Sequence, residues 1–174
     1  MTRLLLTCYN YECQLFRKIN RYFKNKYMNC FFSMITNLGG ALFTISAVLF
    51  LILITSSQTR ITALASAAAL ALSHVPVFFC KRFFPRQRPY IKLEKTMFPE
   101  KPLRDHSFPS GHTTAIFSVI IPFVLFLPIL STILIPIGIF VGISRIYLGL
   151  HYPSDVIVGM VIGCVGGSLC FYFI

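Results

Sequence analysis

The sequence predicts an all-α membrane protein: a helical bundle of about five transmembrane helices, with an N-terminal amphipathic helix lying in the membrane surface. Three observations point to it. Hydrophobic residues make up 56% of the 174 residues and charged residues only 12%, against about 25% charged in an ordinary soluble domain. Five apolar stretches, near residues 30–55, 61–80, 111–128, 131–149 and 154–174, have spanning length, which is about 20 residues for a hydrocarbon core of ~30 Å. The segment 1–28 separates apolar from cationic side chains at helical spacing.

That first segment comes first in the chain. At about 100° per residue, Tyr11, Leu15, Phe16, Ile19, Tyr22 and Phe23 share one face, and Gln14, Arg17, Lys18, Arg21 and Lys24 the other. A strong moment with cations on the polar face describes a helix lying in the interface, although a solvated basic tail has the same composition. Leu4 to Leu6 is too short for the apolar core of a signal peptide, so none is expected. Hairpins at Thr55–Arg60 and around Pro128–Ser131 join the first span to the second and the third to the fourth. The Ala63–Ala71 run supplies small side chains that let helices approach closely in lipid. Residues 81–107 form the one long polar segment, and a loop of that length inside a compact domain is usually functional. With five spans this loop and His151 fall on one side of the membrane, the geometric condition for a single site. The whole chain, 1–174, is expected to be one domain.

Charge narrows the partners. Sixteen Lys and Arg stand against five acids, Glu12, Glu94, Glu100, Asp105 and Asp155, for a net charge of +11. The cations flank apolar spans, so anionic membrane lipids and a phosphorylated substrate fit better than nucleic acid, which is not expected as a partner. The six cysteines form no CxxC pair and leave the redox compartment open. With no carboxylate cluster and no zinc spacing, neither a metal nor another cofactor is expected.

Chemistry concentrates in three motifs at span borders. His151 and Asp155 stand four apart, so a helix puts them on one face where the carboxylate is expected to accept the imidazole Nδ1–H and leave Nε2 as a nucleophile. The plainer alternative makes Asp155 a first-turn acid favoured by the helix dipole. In Pro109-Ser110-Gly111-His112, a glycine turn entering a helix offers free backbone N–H groups to phosphate oxygens, and His112 is placed to act as general acid. Alternatively, Ser110 is an N-cap and His112 an exposed first-turn residue. Arg145, near the end of an apolar span, needs a partner or a function, and its guanidinium fork matches two phosphate oxygens. Lys81 and Arg88 add cations for the same charge. Arg82, Arg86, Lys92, Lys95, Lys101 and Arg104 read as solvated or touching lipid head groups, His74 as a packed histidine, and His106 as a residue without a defined role.

In order and spacing, Lys81 with Arg88-Pro89, Pro109 to His112, and Ser144-Arg145 with His151 and Asp155 resemble the signature of the type 2 phosphatidic acid phosphatase (PAP2) superfamily, over about residues 70–170. The resemblance implies a metal-independent membrane lipid phosphatase of the small undecaprenyl-diphosphate phosphatase type. It implies His151 as nucleophile, Asp155 as its orienting partner, His112 as general acid, and Lys81, Arg88, Ser110, Gly111 and Arg145 as the phosphate cradle. Undecaprenyl diphosphate is the first-choice substrate, ahead of phosphatidylglycerol phosphate and phosphatidate. The alternative of another class, a catalytically silent lipid-phosphate binding or transport protein, needs the cations but not two histidines. Vanadate-holding haloperoxidases share the cradle but are mostly soluble. On orientation two rules conflict. The positive-inside rule favours a cytoplasmic site, whereas resemblance to small bacterial members places it outside the cytoplasm, which is the expectation adopted.

Overall fold

The computed structural model describes residues 3–100 and 105–174, and among them all regular structure is helical. The α-helices are α1 (Arg3–Asn20), α2 (Lys26–Ile35), α3 (Ala41–Ile54), α4 (Ser57–Phe83), α5 (Pro89–Lys92), α6 (Gly111–Phe126), α7 (Ser131–Tyr147) and α8 (Pro153–Phe173). Short 3-10 turns follow α1 and α2 and precede α7.

Three described segments, α4, Pro128–Tyr147 and α8, are long and apolar enough to cross a membrane, and α6 is a shorter apolar helix of 16 residues. The stretch 30–55, expected as one span, is instead two arms, α2 continued by the 3-10 turn Thr36–Gly39 and then α3, bent by 54° at Gly40. Its cause is local. Gly40 is extended, at φ −73° and ψ 149°, which ends the helical path. A Cβ on Gly39 would stand 2.7 Å from the His112 carbonyl oxygen and 2.7 Å from Val141. The break therefore lets the chain pass against α6 and α7 beside the motif histidine. Counting the bent pair as one, the chain is a multi-pass membrane bundle.

α6 is the central helix, packed between α4 and α8. In lipid there is little hydrophobic drive between helices, so close backbone approach and interhelical hydrogen bonds hold the bundle. Gly159, Gly163 and Gly167 form a stripe on α8 against α6. A Cβ at Gly159 would lie 2.6 Å from the Ser110 carbonyl oxygen, and one at Gly163 2.6 Å from that of Thr114. From α4, Ser66 donates to the Val119 carbonyl at 3.0 Å.

The apolar face of α1 and of the 3-10 turn after it, Arg21–Lys24, is divided. Phe16 is fully buried, 6.0 Å between ring centroids from Tyr152, and Phe23 stacks on Tyr147 at 5.9 Å. Tyr11, Leu15 and Tyr22 stay exposed. Asn20 donates to the Met97 and Tyr147 carbonyls and accepts from Met97 N–H. In this way Asn20, at the end of α1, ties Met97 of the polar segment to Tyr147 at the end of α7.

Candidate active site

The end of α7 delivers His151 by a tight turn. Gly149, at φ +73°, reverses the chain after Tyr147, a left-handed conformation that glycine adopts without steric cost. The Leu150 and His151 amides then donate to the Arg145 carbonyl at 3.1 and 3.2 Å. Pro153 occupies the first turn of α8, and Asp155 Oδ2 accepts the Tyr152 N–H at 2.8 Å, closing the helix start.

His151 is almost wholly buried. Its Nδ1 lies 2.6 Å from the Ser107 carbonyl oxygen. A carbonyl only accepts, so Nδ1 carries the proton and Nε2 keeps its lone pair, facing Arg88 Nη1 at 3.1 Å. The tautomer matches expectation but its holder does not. Asp155 Oδ2 stands 3.7 Å from Nδ1, too far for a hydrogen bond. Asp155 instead accepts from the Ser107 hydroxyl at 2.5 Å and from Arg86 Nη1 at 2.7 Å. Ser107 thus links the pair, its hydroxyl held by the carboxylate and its carbonyl holding the imidazole. Burial pushes the His151 imidazole down to about 4, against the pull of Asp155 and with Arg145 and Arg88 adding to the lowering. The ring is neutral at pH 7.

Arg88 is 1% exposed and donates to the Leu150 carbonyl at 2.7 Å, the Asp105 carbonyl at 2.8 Å and Asp105 Oδ1 at 2.6 Å. Lys81, in the last turn of α4, pairs with Asp105 Oδ2. The half-exposed Asp105 carboxylate therefore sits on the two cations expected for phosphate. Burial alone raises Asp105, but Lys81 and Arg88 outweigh it and hold the carboxyl at about 2. His106 contributes a carbonyl 3.4 Å from Arg88.

Arg145 is 3% exposed, and among the described residues only its Nη1 has a partner, Thr36 Oγ1 at 2.8 Å. Its Nε and Nη2 are buried without one. An orphaned guanidinium edge is costly unless a ligand satisfies it. Arg145 shares a cavity of about 300 Å³ with His112, Thr36 and Pro99. His112 also borders a groove of about 710 Å³ between α3, α4 and α6, with Lys81 and Gly111 at its polar end and Val48, Leu70 and Val77 along its walls. A Cβ at Gly111 would meet nothing within 4 Å, so the space above this turn is open. The buried Ser110 hydroxyl caps α6, pairing with Thr113 Oγ1 at 2.9 Å and accepting the Thr113 N–H. His74 also lines the groove, its Nδ1 bonded to the Leu70 carbonyl of its own helix at 2.8 Å.

The sequence profile of the PAP2 superfamily matches residues 60–174. The chain belongs to the PAP2 superfamily. Among similar proteins, a lipid A 1-phosphatase of Rhizobium etli is 38% identical over 87 residues, covering 48% of this chain and 38% of its own. Undecaprenyl-diphosphatase BcrC of Bacillus subtilis is 34% identical over 87 residues, 49% of this chain and 44% of its own. Each match thus spans less than half of the named relative. The crystal structure of Aquifex aeolicus LpxE superposes with a TM-score of 0.81 at 31% identity, covering 92% of this chain and 94% of that one. A PAP2-type phosphatidylglycerolphosphate phosphatase from Bacillus subtilis shares the fold, with a TM-score of 0.75 at 24% identity over 99% and 87%.

The PAP2 motifs of this chain converge at one end of the bundle: Lys81, Arg88, His151 and Asp155 through a chain of polar contacts, and His112 and Arg145 in a shared cavity. Sequence reasoning missed four members of the site. Ser107 and Thr36 carry no spacing signal. Asp105 was visible as one of only five acids. Arg86, grouped with the solvated cations, instead donates to Asp155, Ser154 and Glu12 at 2.7 Å each.

Proposed function

We propose that this chain hydrolyses a lipid phosphate or diphosphate through a phosphohistidine, with undecaprenyl diphosphate as first-choice substrate and phosphatidylglycerol phosphate and phosphatidate next. The observation that carries the reading is the buried, neutral His151. Its Nε2 lone pair faces the cation cluster, and Arg145 nearby has two nitrogens without a partner among the described residues. The phosphoryl group binds Arg145, Lys81 and Arg88, displacing the Asp105 carboxylate. His151 Nε2 attacks the terminal phosphorus in line as His112 protonates the leaving oxygen, that of the lipid alcohol in a monophosphate or of the lipid phosphate in a diphosphate. His112 then takes a proton from water, which attacks the phosphohistidine and frees inorganic phosphate and His151. Cations and the Gly111 amide stabilise the charge on the equatorial oxygens. The apolar groove beside His112 accommodates the tail, and the site faces away from the cytoplasm.

Two histidines disposed about one cation cluster favour an enzyme over a silent binding or transport protein. Purified protein is tested for phosphate release across a panel of undecaprenyl diphosphate, phosphatidylglycerol phosphate and phosphatidate. Release from at least one, greatest with the first, is the expected result. Binding to all three without release points to the silent carrier. A reporter fused after Ile174, at the end of the bundle opposite the site, is expected on the cytoplasmic side, and an external reporter signal reverses the orientation.

A further inference from the structure

Asp155 holds Ser107, and Ser107 holds the His151 imidazole. What holds Asp155 comes from outside the motifs. Arg86 Nη1 donates to Asp155 Oδ1 and to Ser154 Oγ, and its Nη2 donates to Glu12 Oε2, each at 2.7 Å. The guanidinium lies over the Tyr152 ring at 3.9 Å from the centroid. Burial works against the Arg86 charge, yet the Asp155 and Glu12 carboxylates together raise its proton affinity. One planar cation thus bridges two carboxylates, one from α8 and one from α1.

Glu12 makes a second connection. Its Oε1 accepts the Ser154 backbone N–H at 2.9 Å and the Ser154 hydroxyl. The Ser154 amide belongs to the first turn of α8, where N–H groups lack partners within the helix. A carboxylate is favoured there by the partial positive charge of the helix start. α1 therefore supplies an external cap to the helix that carries Asp155, while Phe16 seats the same face of α1 against Tyr152. The Ser107 amide donates to the Arg86 carbonyl at 2.9 Å, so Arg86 also fixes the backbone of the residue that grips His151.

We propose that Arg86, clamped by Glu12 of the surface helix α1, is a positioning residue that aligns Asp155 and, through Ser107, the His151 imidazole, so that docking of α1 is a condition for turnover. The inference rests on the proposed role of His151. Arg86 acts through Asp155 and not on phosphate, so its loss lowers kcat and spares KM. A lysine presents a point charge in place of a planar fork and cannot make all three bonds in the same geometry.

Full-length protein in detergent carrying Arg86→Ala, Arg86→Lys, Glu12→Gln or the double change Glu12→Gln/Arg86→Ala is assayed for kcat and KM on the lipid phosphate that wild type turns over. Arg86→Ala is expected to lose at least tenfold in kcat with KM within twofold. Added methylguanidinium is expected to restore part of the loss by filling the vacated, partly exposed site. Arg86→Lys and Glu12→Gln should be intermediate, and the double variant no worse than Arg86→Ala alone. A rise in KM with kcat unchanged would assign Arg86 to substrate binding and overturn the proposal, as would additive losses, unchanged kinetics or absence of rescue. If Arg86→Ala fails to fold, Glu12→Gln decides: unchanged kcat refutes the proposal. An inactive wild type refutes the catalytic reading itself, whereas an active wild type indifferent to Glu12 and Arg86 refutes only this inference.

Discussion

At the scale of residues, electrostatics sets two testable properties. His151 is held at about 4, below the ordinary histidine value, chiefly by burial. A nucleophilic imidazole must be unprotonated, so the acid limb of kcat/KM, which reports the free enzyme, is expected near pH 4. A pH series on wild type that instead falls off near 6.5 contradicts the buried, neutral ring. The same shift couples to folding: the unfolded chain binds this proton at about 6.5, so this contribution to stability declines as pH falls from 6.5 towards 4. Asp105 gives the second property. Its carboxylate competes with phosphate for Lys81 and Arg88, so Asp105→Asn is expected to tighten inhibition by inorganic phosphate several-fold. An unchanged or weaker inhibition constant would show that Asp105 orders the cradle and does not compete for it. The four-residue spacing made His151 and Asp155 legible as a pair, but not by a shared helix face: His151 lies in the turn before α8, and only Asp155 is in its first turn. The spacing did not show the hydrogen bond, because the Ser107 carbonyl that takes the imidazole proton arrives from 44 residues away.

At the scale of elements, the bundle depends on close backbone approach. A Cβ at Gly163 would stand 2.6 Å from the Thr114 carbonyl oxygen and 2.7 Å from Phe117 Cβ, so the backbone itself must give. Gly163→Ala is expected to destabilise by about 1–3 kcal/mol, the usual cost of overpacking. Val165→Ala, at a position 52% exposed on the same helix, should stay within about 0.5 kcal/mol. Thermal unfolding in detergent compares them, and equal midpoints would remove the glycine stripe from the account. The helices α4, α6, α7 and α8 were legible from apolar length and their flanking turns. The α8 stripe was present at four-residue spacing, but the more conspicuous alanine run of α4 drew the expectation of small-residue packing. The break at Gly40 escaped because the apolar run 30–55 continues through it. Only the partner surface, the His112 backbone and Val141, shows why a glycine, Gly39, stands just before the break.

At the scale of the whole molecule, cations and an apolar groove meet at one end of the bundle, as the topology of alternating spans required. Arg88 and Arg145 are buried there, whereas Lys95 is exposed on the polar segment, and Lys101 lies outside the described residues. Arg88→Ala and Arg145→Ala are expected to cut turnover by at least tenfold more than Lys95→Ala or Lys101→Ala. Equal losses at all four would mean general attraction of anionic lipid to a basic surface. Composition alone could not separate these cations, since burial depends on which chain segments cover them. Arg86 is the clearest case: a cation among many in sequence, and in the folded chain the bridge between α1 and α8.

The central claim, a phosphoryl group carried on His151, is tested most directly by acid-free rapid quenching of wild type during turnover of a phosphate-labelled lipid, followed by peptide mapping. The label should be acid-labile, base-stable and confined to the peptide containing His151. It should be absent from His151→Ala, which should also release no phosphate. Turnover in His151→Ala near the wild-type rate, or label trapped on another residue, would contradict the account.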